Sequence, residues 1–96
     1  MPRRASTAIE RRQGRALGLV LQRSRPGTAE EFARDAGVHV DTVRRIEQGG
    51  VASPGFFLVT QLADALGLGL EELRERIRRV DADLIGEKGA AGGDET

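Results

Sequence analysis

Three residues at fixed spacing govern how this chain can fold: Ala33, then Gly37 four residues on, then Val43 six further on. Helical apolar stripes lie on both sides of Gly37, with Phe32, Ala33 and Ala36 before it and Val43 and Ile46 after it. Two helices joined by so short a break must cross closely. Ala33 is small enough for the crossing point, Gly37 can turn the chain with positive φ, and Val43 fills the space between the helices. Thr28 with Glu31 three residues later predicts a capping box at the start of the first helix. Gly49-Gly50 closes the second in the left-handed role that glycine accepts without strain.

Three more helices follow from the same periodicity. Ile9, Gln13, Ala16, Leu17, Val20 and Leu21 form a stripe that ends at Arg25-Pro26-Gly27. Gly14 and Gly18 interrupt it at a cost of about 1 kcal/mol each relative to Ala, so close packing against another helix is their expected use. Ser53-Pro54 predicts the opening of a fourth helix with the stripe Phe56, Val59, Leu62, Ala63 and Leu66, broken at Gly67 and Gly69. Leu70-Glu71-Glu72 opens a fifth, with acids at its positive end and the stripe Leu70, Leu73, Ile77, Val80 and Leu84. No run alternates with period two for long enough to make a strand. The expected fold is therefore all-α with five helices, and Phe32 and Phe56 are expected in its core. Residues 1–8 are expected to form a flexible basic arm, 9–85 the folded domain, and 86–96 a disordered acidic tail.

Composition narrows the function. The chain of 96 residues has no Cys and one His, so disulfides, thiolate metal sites and a cysteine nucleophile have no residues to use. No metal, cofactor or enzymatic chemistry is expected. The acidic pairs Glu30-Glu31 and Glu71-Glu72 sit at helix starts, where the dipole already accounts for them. Tyr and Trp are absent, which leaves little for stacking on bases. No apolar run reaches the roughly 20 residues of a membrane span. MPRRASTAIERR has no apolar stretch to make it a signal peptide, so a cytoplasmic location is expected. The net charge is zero, yet residues 1–25 carry seven Arg against one Glu, and residues 80–96 carry one Lys against five acids. A basic head suggests a polyanionic partner, although Arg on a solvated helix is also ordinary.

With these elements in place, residues 28–73 resemble the lambda-repressor/Cro-like (XRE-type) helix-turn-helix family, and with the first helix the resemblance covers roughly residues 10–77. The matching pieces are Glu30-Glu31-Phe32-Ala33, Ala36-Gly37-Val38, Val43-Arg44-Arg45-Ile46-Glu47, Gly49, Pro54, Leu62 to Gly67, and Leu70 to Leu73. The resemblance implies a five-helix domain, extended here in its first and fifth helices. It also implies a homodimeric transcription regulator on double-stranded DNA with a recognition helix at about 39–48. The base-edge candidates it implies are His39, Val40, Asp41, Arg44 and Arg45. Arg can hold O6 and N7 of guanine together, and Asp41 can accept from a cytosine amino group. Asp41 also suits a helix N-terminus without touching DNA, and His39 also suits a cap. Thr28, Ala29, Thr42 and Gln48 are the matching backbone candidates. Arg3, Arg4, Arg11 and Arg12 are candidates for phosphate or the minor groove, or else a solvated terminus.

Departures from the pattern point elsewhere. The family's usual Gln at the start of the second helix is Ala29, and its helix-one Arg falls on Gln22, so Glu47 needs another partner. The loop Gly50-Val51-Ala52-Ser53 lacks the usual phosphate-gripping charges, which predicts modest DNA affinity from the core. Phe57 and Leu58 occupy normally polar positions of the fourth helix. They suggest a dimer contact, unless Phe57 folds under Val51-Ala52. Val80 and Leu84 continue the fifth-helix seam, for packing on the first helix or for a second chain. The alternative function is a helical adaptor or antitoxin-type protein with an idle DNA face and a regulatory protein partner.

Overall fold

A computed structural model of the chain describes residues 7–93. Five helices follow in order: α1 Ala8–Ser24, α2 Ala29–Ala36, α3 Val40–Glu47, α4 Phe56–Leu66 and α5 Leu70–Gly93. The described residues form an all-α fold without strands. Its centre is one hydrophobic core to which every helix contributes a fully buried side chain. These are Leu21 from α1, Phe32 from α2, Val43 and Ile46 from α3, Leu62 from α4 and Leu73 from α5. Burying each such side chain is worth about 1.5–3 kcal/mol.

The caps explain where the helices begin. Thr7 accepts a hydrogen bond from the Glu10 amide at 3.0 Å, and the Glu10 carboxylate accepts from the Thr7 amide at 2.9 Å. That reciprocal box starts α1 at Ala8. Thr28 and Glu31 repeat the arrangement at α2, as expected from their spacing. Gly37 leaves α2 at φ 74°, where a Cβ would be strained, and Val38 closes back onto the Ala33 carbonyl.

Two boundaries and one core assignment differ from expectation. Helix α4 starts at Phe56 and not at Pro54; Gly55 is its cap and offers no side-chain hydrogen bond. Phe56 is consequently 64% exposed and not in the core. Helical side chains tilt toward the N-terminus, and at the first position of α4 no preceding turn lies beneath the ring. Helix α5 continues to Gly93, beyond the Gly86 where a disordered tail was expected. Extending a formed helix avoids a new nucleation cost, and Glu87, Lys88, Ala90 and Ala91 are good helix formers.

α1 packs most extensively on α5. Arg12 donates from Nε to Asp81 Oδ1 at 2.6 Å and from Nη2 to Oδ2 at 3.4 Å, across 69 residues of sequence. On another face, α1 meets the end of α3 backbone to backbone. A methyl group at Gly18 would lie 2.3 Å from the Ile46 carbonyl oxygen, and one at Gly14 would lie 2.4 Å from that of Val51. The two glycines therefore permit the close packing expected of them.

Candidate nucleic-acid interface

Helix α3 is anchored by its apolar side and displays the other. Val43 and Ile46 are fully buried, while Asp41, Arg44, Arg45 and Gln48 are exposed. α2 crosses against it through Ala33, which is also buried. Val40 and Ala29 are half-buried against the core, and Thr42 is half-buried. Thr28 spends its hydroxyl and its amide on the α2 capping box. The candidates on α3 thus share one accessible surface, with the start of α2 beside it.

His39 is the α3 cap. Its Nδ1 accepts from the Asp41 amide at 3.1 Å. With Nδ1 used as an acceptor, the neutral ring keeps Nε2–H as a donor, and His39 is exposed. Asp41 lies in the first turn of α3, where its charge suits the dipole. Arg44 is not a free cation: Nη2 meets Glu30 Oε2 at 2.6 Å, and Nη1 lies 3.9 Å from Asp41 Oδ1. All three side chains are solvent-exposed, so the pair is weak enough to be exchanged for another partner. Arg45 turns away from this cluster and lies along Gly50. Glu47 finds its partner in Arg25, whose Nε lies 2.5 Å from Oε2. Through Glu47, Arg25 ties the end of α1 to the end of α3, and it also donates to the nearby Gly27 carbonyl.

The remaining candidates separate by position. Arg12 is committed to Asp81, and that hydrogen bond holds the guanidinium above its ordinary pKa despite partial desolvation. The structure places it in the α1–α5 seam. Arg11 is exposed on α1, while Arg3 and Arg4 lie outside the described residues. Phe57 is 80% exposed and does not fold under Val51-Ala52. Its ring meets Phe56 edge to face, with centroids 5.6 Å apart. Leu58 instead packs on the core, as does Val80. Leu84 is half-buried beside Leu19 and Arg23 of α1. The Phe56 ring also borders a groove of about 750 Å³ between α1, the α3–α4 loop and α5.

Sequence reasoning passed over Glu30 and Arg25 as partners of α3. Glu30 looks like an ordinary first-turn acid, and Arg25 stands just past a helix end. Only the crossing of α2 over α3 and the docking of α1 bring them into reach.

A short helix, a left-handed glycine turn and a second helix held by its inner face define a helix-turn-helix protein. The chain belongs to the helix-turn-helix domain family, whose model matches residues 16–77, well over half its length. That membership supports a DNA-binding role for the surface just described. No curated protein matches the chain. No helix among the described residues is long and apolar enough to cross a membrane.

Proposed function

We propose that this protein is a sequence-specific DNA-binding transcription regulator of the XRE type. It acts as a homodimer that sets α3 of each copy into successive major grooves about 34 Å apart. The observation that carries this reading is the two-faced α3. Val43 and Ile46 fix it in the core, and the opposite side offers His39, Asp41 and Arg44 together, with Arg45 beside them along Gly50. Arg44 is the principal guanine contact, and Asp41 suits a neighbouring cytosine. Regulation occurs by occupying the operator, in the cytoplasm, without chemistry and without a cofactor.

The test is selection of duplexes from a random pool by the purified protein, at low salt and again at physiological salt. The expected result is an enriched two-fold motif with half-sites one helical turn apart. Retention at low salt without a motif, or no retention, refutes sequence reading. With a motif in hand, Arg44→Ala should lower discrimination at one base pair by about 1–3 kcal/mol.

The exposed Phe56–Phe57 pair favours a second reading, a helical adaptor or antitoxin-type protein that holds a protein partner at the start of α4. The two readings separate in sedimentation. Phe57→Glu yields monomers if the pair is the homodimer seam. An unchanged dimer places the seam elsewhere, and a wild-type monomer leaves the aromatic pair for another protein.

A further inference from the structure

The turn that follows α3 carries no charged residue from Gly49 to Gly55, yet the side-chain stems of two arginines flank it. A methyl group at Gly49 would touch Cα, Cβ and Cγ of Arg15 at 3.6–3.8 Å, so the Arg15 stem runs against the turn from the α1 side. A methyl group at Gly50 would lie 3.0 Å from Cγ of Arg45, on the α3 side. Both arginines are exposed. Neither has an ion-pair partner among the described residues, whereas Arg12, Arg25 and Arg44 each have one. The amides between them are already used: Gly49 donates to Ile46 and Gly50 to Arg45, both at 2.9 Å. An anion approaching the Gly49–Gly50 pair therefore meets arginine side chains and finds both of these amides already used.

Arg15 owes this position to the glycines of α1. Gly14 and Gly18 let the helix backbone rest on the carbonyls of Val51 and Ile46. Arg15 and Gly18 are three residues apart and share the face turned to α3, and Arg11 is one turn earlier on that face. Close packing thus carries a residue from the first helix to the edge of the recognition helix.

We propose that Arg15 holds a DNA phosphate at the edge of the half-site, across the Gly49–Gly50 turn from Arg45. It supplies from α1 the positive charge that the turn lacks. The proposal rests on the DNA-binding function above and adds a contact from outside the helix-turn-helix. The guanidinium fork suits two oxygens of one phosphate. Arg15 stands beside the end of α3 and not on its exposed face, so its contact positions the duplex and carries no sequence information.

The experiment measures binding of the full chain to its selected duplex and to a random duplex across a salt series, by fluorescence anisotropy. Arg15→Gln is compared with Arg15→Lys and with Arg23→Gln, a change on the side of α1 that lines the groove beside Val80 and Leu84. Thermal midpoints of all variants monitor folding. The expected result for Arg15→Gln is an equal fractional loss on both duplexes. The slope of log K against log salt should shrink by about 0.9, so the deficit is about threefold larger at about 50 mM than at about 200 mM salt. Arg15→Lys should keep the wild-type slope, and Arg23→Gln should leave it unchanged. A slope for Arg15→Gln equal to that of Arg23→Gln, or a loss confined to the selected duplex, overturns the proposal. Failure of the wild-type protein to bind either duplex overturns the DNA-binding function itself and is seen before any variant is compared.

Discussion

Replacing Gly18 with Ala adds one methyl group to the middle of α1 and should make the protein easier to unfold. In an unconstrained helix the same change stabilises by about 1 kcal/mol. Here the new Cβ would stand 2.3 Å from the Ile46 carbonyl oxygen and 3.2 Å from that of Glu47. Both obstacles are backbone at the end of α3, so no rotamer change relieves them and α1 must move away by about 1 Å. Overpacking of this kind costs about 1–3 kcal/mol, and the displacement also loosens contacts of Leu17 and Leu21 with the core. The net expectation is a loss of about 1–2 kcal/mol, or about 4–16 °C in Tm for a domain of this size. The chain has no Trp or Tyr, so unfolding is followed by far-ultraviolet circular dichroism in urea and on heating. Gly86→Ala is the matched control. It lies in α5 with no atom within 4 Å of its added Cβ, and should be neutral or stabilising by up to about 1 kcal/mol. If Gly18→Ala were as stable as wild type, the close approach of α1 to α3 would be refuted.

Other perturbations test individual contacts. His39→Ala removes the α3 cap and should cost about 1 kcal/mol in urea unfolding, whereas His39→Ser should keep most of it. Arg25→Ala leaves the Glu47 carboxylate, only 11% exposed, without its partner, and should destabilise by about 1–3 kcal/mol in the same assay. Glu30→Gln frees Arg44 and removes a negative charge from the proposed DNA face. It should tighten binding to random DNA more than to the selected site, and an equal change on both would assign Glu30 no part in discrimination.

The helix-turn-helix was legible because its signals are local. The Thr28–Glu31 box, Gly37 and the Val43–Ile46 stripe act within a few residues, and each occupies its expected place. Gly14 and Gly18 were informative because glycine inside an amphipathic helix is costly unless something approaches it. Expectation failed where a single signal stood alone. Pro54 suggested a helix start, but α4 begins two residues later, and that shift turns Phe56 from the core to the surface. The glycines of residues 86–93 suggested disorder, while the intervening Glu, Lys and Ala allow α5 to continue. Asp81, Glu47 and Glu30 were hidden as partners of Arg12, Arg25 and Arg44 because each lies far away in sequence, on another element. Spacing within one helix cannot show which side chain another helix will deliver.

The Arg12–Asp81 pair has a consequence for synthesis of the chain. α2 and α3 are neighbours in sequence and can meet as soon as both have emerged from the ribosome. The seam between α1 and α5 spans 69 residues and must wait for the last helix. Until Asp81 emerges, the α1 side that will face α5 remains uncovered, and Leu73 is missing from the core. Completion of the fold thus waits for α5, and a nascent copy that lacks it leaves the uncovered side of α1 open to misassociation.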